Sequence, residues 1–410
     1  MDKKENSVSQ GVLGSVILSS NFWLCVIINI LNKIGRTCAK QPITLVGSSI
    51  SMSATMIGSA MSVFFICSML IRTPFGSLMD RFNKKVVLSA AFGFQALSYV
   101  LYLLVDNSGM YVFCKAMEGF GFGMAQLAMA AVVASTGSRK SMGSALGFLS
   151  MIPFLASALT NQITLWITSV FGTKYSILGA IICIGCCIIL SWVLKFQPAT
   201  EEKAEKKTDM EKTTGRKKLI SMMALPTALI MIAVQIPTLL VDNFMVLYGN
   251  SAGITFFASY ISIYMASNGI SGGAIGYLYD KLGAKLTVFP TIISGIIATI
   301  MLATTQSVGP WMVSAVLMGI AGGGITALCR ARGAAMASRS EIGLVMGTYA
   351  LVMDAASIIL NPVGGMIADK FGYAALYGSS AVLPILALIA SVVFFQKIFG
   401  DNKAAEAEAR

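Results

Sequence analysis

Four polar residues near the start of the chain, Asn29, Lys33, Arg36 and Lys40, recur at spacings of four, three and four. That spacing puts all four on one face of a helix. A stripe carrying three cations suits a carboxylate or phosphate, arginine offering a planar fork of donors and lysine a compact charge. Three carboxylates, Glu118, Asp242 and Asp354, lie in apolar stretches of their own. A charge at the centre of a membrane helix costs roughly 2.5 to 3.5 kcal/mol on insertion scales, so each should face a wet cavity or a partner. Carboxylates so placed are candidates to take up and release protons. Asp354 leads and Asp242 follows; Glu118 stands three residues after Lys115, a spacing that equally makes a structural ion pair. Gln235 and Thr238 share a helix face with Asp242, completing a second polar stripe.

Other chemistries lack their parts. The chain has no histidine, so Cys183, Cys186 and Cys187, despite metal-like spacing, are read as packing residues. Cys25, Cys67, Cys114 and Cys329 also lie in apolar helical sequence, and neither a disulfide nor a metal is expected. No convergent nucleophile, base and metal set points to an enzyme. No Gly-x-x-x-x-Gly-Lys-Ser/Thr loop is present for ATP, so pumping must draw on an ion gradient, and no cofactor is expected.

The elements that must position these residues are membrane helices. Of 410 residues 56% are hydrophobic and 12% charged, against about a quarter charged in soluble domains. Apolar runs long enough to cross a bilayer recur, as at 86–105, 177–194, 286–302 and 375–395. Strand periodicity is missing and glycines dot the apolar runs, which predicts an all-α membrane protein of twelve transmembrane helices. Residues 1–10 are polar and precede an apolar segment without a small-residue cleavage site, so no signal peptide is expected. A first helix over about 21–41 places the basic stripe in a central cavity. A first helix over 11–31 leaves it in an outer loop, where three cations would oppose the positive-inside bias.

The net charge of +12 would suggest nucleic acid in a soluble protein, but the cations alternate by side. Arg81, Lys84 and Lys85, then Arg139 and Lys140, the run 203–218, Lys281 and Lys285, Arg339, and Lys397 and Lys403 fall on every second connection. Those connections, with both termini, are expected in the cytoplasm of a plasma (inner) membrane protein. The lipid bilayer is thus a partner and nucleic acid is not.

Shifting the sequence by 200 residues pairs Gly76 with Gly276, Asp80 with Asp280 and Lys85 with Lys285. The same shift pairs Gly119 with Gly319, Arg139 with Arg339, Asn161 with Asn361 and Gly172 with Gly372. Two six-helix bundles, 1–196 and 220–410, joined by a charged cytoplasmic linker over 197–219, follow from this repeat.

The stretch Arg72-Thr-Pro74-Phe-Gly76-Ser-Leu78-Met-Asp80-Arg81-Phe-Asn83-Lys84-Lys85 resembles the signature loop of the major facilitator superfamily, Gly-x-Leu-x-Asp-Arg-x-Gly followed by two basic residues. Asn83 replaces the last glycine, and asparagine tolerates the left-handed conformation next best. A second copy, from Gly276 through Asp280, Lys281 and Gly283 to Lys285, keeps that glycine. Lys115-x-x-Glu118-Gly119-x-Gly121-x-Gly123 resembles the family's Arg-x-x-x-Gly-x-Gly-x-Gly motif. A third look-alike, Gly364-Gly365 to Asp369-Lys370-Phe-Gly372, falls on the opposite side and is read as a helix-ending turn.

The resemblance implies a monomer of two bundles related by pseudo-twofold symmetry, working by rocker-switch alternating access. Gly76 and Gly276 should let helices approach closely. Asp80, Arg81, Lys84, Lys85, Asp280, Lys281, Lys285, Arg139 and Arg339 should latch the halves in the outward-facing state. Some anion-transporting members carry a second arginine on helix seven, which this chain lacks; Asp242 is expected to pair with Arg36 or Lys33 when the cavity is empty. Arg72-x-Pro74 resembles twelve-helix drug and metabolite exporters. The expectation is a proton-coupled (or sodium-coupled) exporter of a small organic anion or zwitterion, bound by Asn29, Lys33, Arg36, Lys40, Gln235, Thr238 and Asp242. An organic-anion uptake carrier and a hydrophobic multidrug exporter are the alternatives; a membrane-embedded enzyme is the reading from another class.

Overall fold

The computed structural model describes residues 20–78, 83–136, 142–194, 220–337 and 341–399. Its described residues form twelve helical rods. The first half holds α1 (Ser20–Ser49), α2 (Ala54–Leu78), α3 (Lys84–Tyr102), α4 (Ser108–Thr136), α5 (Met142–Phe171) and α6 (Thr173–Val193). In the second half α7 is Leu225–Ser251, and Phe257–Thr304 is divided by non-helical Gly283 into α8 before it and α9 after it. Then follow α10 (Val308–Met336), α11 (Ile342–Phe371) and α12, whose parts Tyr373–Ser380 and Val382–Val393 meet at Ala381. Nine candidate spans among the described residues are long and apolar enough to cross a membrane. Helix α1, loaded with three cations, is not one of them.

Burial runs opposite to that of a water-soluble protein. Gln95, Asn161, Asn361 and Thr348 are fully buried, whereas Leu159 and Ile189 are about 70% exposed on the outer face. Lipid, as apolar as leucine, removes the penalty for such a surface, and polar groups are driven inward to find partners.

The repeat is exact in the helix bounds: α4 and α10, and α5 and α11, begin and end 200 residues apart. Gly172 and Gly372 turn the chain into α6 and α12 with the same backbone, φ 99° and 83°, both with ψ 166°. The signature loop treats its equivalent position in two ways. Gly283 adopts φ 76°, the left-handed value that favours glycine, but Asn83 is extended at φ −62° and caps α3, its side chain accepting from the Lys85 amide at 3.0 Å. Asn83 therefore stands in the glycine's place as a helix cap, not as a left-handed residue.

Close helix approach occurs at glycines other than Gly276. A methyl group on Gly276 would meet Ala327 at 3.9 Å, an ordinary contact. On Gly119 it would lie 2.3 Å from the Phe64 carbonyl oxygen, and on Gly323 2.1 Å from that of Asn268. These glycines of α4 and α10 let α2 and α8 press against them, in one half and in the other. The halves meet along α2 with α11, α5 with α8 and α1 with α7.

Candidate functional site

Helix α1 runs through the basic stripe and past Pro42 to Ser49, so Asn29, Lys33, Arg36 and Lys40 lie within it, each half-buried. These residues are therefore helical, and not in a loop as the alternative reading has them. Asn29 is engaged with neighbours. Lys33 holds its ammonium 4.5 Å from the centre of the Phe154 ring on α5. Arg36 lies with its guanidinium 3.9 Å from the Phe122 ring of α4, and Phe122 stacks on Phe64 of α2 at 5.3 Å. Such cation–π contacts soften the loss of water without using any N–H donor. The Arg36 Nε is buried and has no hydrogen-bond partner among the described residues.

Glu118, Asp242 and Asp354 each meet a cation. Lys40 lies 3.6 Å from Asp242 of α7, linking the halves. The expected partners, Arg36 and Lys33, are held by aromatic rings instead, one and two turns away. Asp354 of α11 accepts from Arg72 of α2 at 2.5 Å, a second bridge between halves. Lys115 and Glu118, both buried, pair at 2.8 Å within α4. Of the cations Lys33, Arg36, Lys40, Arg72 and Lys115, three are thus matched; no carboxylate among the described residues pairs with Lys33 or Arg36.

Gln235 and Thr238 are tied into the second half. Gln235 donates to Thr326 Oγ1 and to the Gly322 carbonyl at 3.3 Å, and Thr238 donates to Gln235 Oε1 at 3.0 Å. They brace α7 on α10 beneath Asp242.

Of the expected latch, Asp80, Arg81, Arg139 and Arg339, like the 197–219 linker, lie outside the described residues, and of Gly76, Lys84 and Asp280 only the backbone is described. Lys85 donates to the Trp192 carbonyl at 2.8 Å, at the end of α6. Lys281 rests 4.6 Å from the Tyr277 ring and Lys285 5.6 Å from that of Phe395. All three contacts stay within their own half.

Bonds between the halves instead run from the middle of the bundle toward the end that carries Phe171 and Phe371. Asn161 donates to the Ala258 carbonyl at 3.3 Å, and Ser62 to that of Ile358 at 2.6 Å. Asp369 accepts from the amides of Ala54 and Thr55. The stretch from Gly364 to Gly372, read as a helix-ending turn, does end α11, but it is helical through Phe371 and only Gly372 makes the turn. Asp369 and Gly365 work across the seam.

Arg72, Phe122 and Phe154 were not expected in the site. Arg72 left a signal, since a cation six residues inside the end of an apolar helix calls for a counter-charge. The two phenylalanines left none in a chain with 22 of them.

Two segments, 249–253 and 269–273, have the Gly-x-Ser-x-Gly spacing of a hydrolase nucleophile. Both serines are spent on carbonyls, Ser251 on Tyr248 at 3.0 Å and Ser271 on Gly319 at 2.9 Å.

The family model of the Major Facilitator Superfamily matches residues 13–314. The chain belongs to this superfamily. It is a multi-span membrane transporter, not an enzyme, and members bind small-molecule substrates. Among its relatives is the multi-drug resistance efflux pump PmrA of Streptococcus pneumoniae, 22% identical over 346 residues, 83% of this chain and 86% of that one. Multidrug resistance protein MdtG of Citrobacter koseri is 23% identical over 360 residues, 84% of each. The fold is shared with a bacterial homologue of the human lysosomal transporter Spinster, solved inward-facing and unoccupied: TM-score 0.70, 13% identity, 92% of this chain and 98% of that one.

Proposed function

We propose that this superfamily member is a proton-coupled exporter of a small organic anion or zwitterion, working by alternating access between its two halves. The unmatched pair Lys33 and Arg36 carries this reading. Two cations that no carboxylate among the described residues meets at ion-pair distance are costly in a low-dielectric interior, and an anionic cargo relieves that cost where water would otherwise have to remain. Arg36, over the Phe122 ring and with its Nε unpartnered among the described residues, can offer its N–H donors to a planar, two-pronged acceptor. Asn29 extends the stripe by one turn and the Lys40–Asp242 pair closes it on the other side.

Asp354 and Asp242 are the proton carriers in this reading, and Glu118 serves structure through Lys115. A proton on Asp354 would release Arg72 and loosen the halves at mid-bundle, which links protonation to rocking. The cation-rich connections put the Asn83 end in the cytoplasm, with both termini. The bonds between halves then close the outer side, and the cavity faces inward in this state. The efflux names of PmrA and MdtG favour export. They also favour a second reading, a hydrophobic multidrug exporter, which the rings of Phe64, Phe122 and Phe154 would suit.

Purified protein in liposomes, assayed with a panel of organic anions and neutral aromatic drugs with and without a pH gradient, separates the readings. Anion flux that follows the gradient and disappears with Arg36→Ala is expected. Drug flux indifferent to that substitution would favour the second reading.

A further inference from the structure

We propose that Asp369 and the start of α2 form a clasp that holds the halves shut at the Phe171 end, the counterpart of the latch expected of Asp80 at the opposite end of the same helix. The inference rests on alternating access as proposed above, but on neither the cargo nor the coupling ion. A helix leaves its first amides without internal partners. In α2, Ser53 Oγ accepts from the Met56 amide at 3.2 Å. The Ala54 and Thr55 amides are taken by a carboxylate 315 and 314 residues away in the other half: Ala54 donates to Asp369 Oδ1 at 2.9 Å and Thr55 to Oδ2 at 2.8 Å. The Thr55 hydroxyl adds a donation to Oδ2 at 2.6 Å. Both oxygens are therefore engaged, and the negative charge sits at the positive end of the helix dipole.

The seam continues inward by backbone contact. A methyl group on Gly365 would lie 2.4 Å from the Ala54 carbonyl oxygen, and one on Gly58 would lie 2.2 Å from that of Asn361. Asn361 in turn accepts from Asn243 of α7 at 2.7 Å. The contact is built to be reversible. Thr55 is half-buried, but its bond to Asp369 is exposed at the bundle end, so water can replace the carboxylate on the freed amides when the halves part. Helix α2 is one rod, gripped here by Asp369 and leading at its far end to Asp80. A rocking motion that frees one grip brings the other into reach.

Hydrogen–deuterium exchange mass spectrometry of the full-length protein in lipid nanodiscs reads both ends together. Asp369→Asn removes the charge but keeps the shape, and Gly365→Ala keeps the charge but blocks the approach. Each is expected to raise uptake at residues 54–58 by roughly three- to tenfold. Each should also lower uptake at residues 342–345, at the opposite end, as the population shifts. Asp80→Asn should produce the reverse pattern. A rise confined to residues 54–58, or no change at either end, overturns the clasp and leaves Asp369 a plain helix cap. Failure of the liposome panel with this two-ended signature intact would sink the cargo reading alone.

Discussion

Arg36 shows how a charge can be kept in an apolar bundle without being neutralised. Its ring partner Phe122 offers a favourable face but accepts no hydrogen bond in the guanidinium plane, so the capacity to bind survives. Arg36→Ala should weaken anion binding by roughly 10- to 100-fold, the worth of a charge-assisted pair, while expression stays normal. Isothermal titration in detergent with the best anion of the panel measures this. Arg72 and Asp354 make a different case, a true pair across the seam. Arg72→Gln or Asp354→Asn alone strands a buried charge or its partner at a cost of about 3 to 5 kcal/mol, whereas the double variant should recover much of the loss, as thermal unfolding would register. Asp354→Asn should further leave flux insensitive to an imposed pH gradient. The charged members of the site were legible because charges are rare in such a chain and helical spacing sorts them by face. Their pairing was not: which cation meets which acid depends on packing between helices distant in sequence, so Asp242 takes Lys40 although Lys33 and Arg36 share the stripe.

Among the elements, helix type and nine of the spans followed from apolar run length, while the contacts between helices did not. Gly276 lies in a recognisable motif and touches almost nothing, and Gly119 and Gly323 carry the close approaches. A difference in tolerance should follow. Gly119→Ala forces a methyl onto the Phe64 carbonyl and should cost about 1 to 3 kcal/mol, and Gly276→Ala should change stability by no more than about 0.5 kcal/mol. Melting curves of the two purified variants compare them directly. The positions 83 and 283 make the same point: one slot in the repeat is served by a capping side chain in one copy and by a left-handed backbone in the other, and only the folded backbone separates the two.

For the whole molecule, the orientation proposed from Lys and Arg placement makes a test in intact cells available. Single cysteines in the Phe171 and Phe371 turns should react with a membrane-impermeant maleimide added from outside, and cysteines at Asp106 and Gln306 likewise. Cysteines beside Asn83 and Gly283 should stay unlabelled until the membrane is broken. The opposite pattern would invert the threading and place the cavity mouth on the other side.

The identical bounds of α4 with α10 and α5 with α11 carry a consequence for how the molecule can vary. Adding a single residue within a helix swings everything beyond it by about 100°. Side chains that had greeted hydrocarbon would then point at neighbours, and the hidden hydroxyls and amides would be turned out into oil. Over these stretches the two copies have drifted freely in spelling while conserving length to the letter, so indels between them should be confined to the tether that joins the bundles.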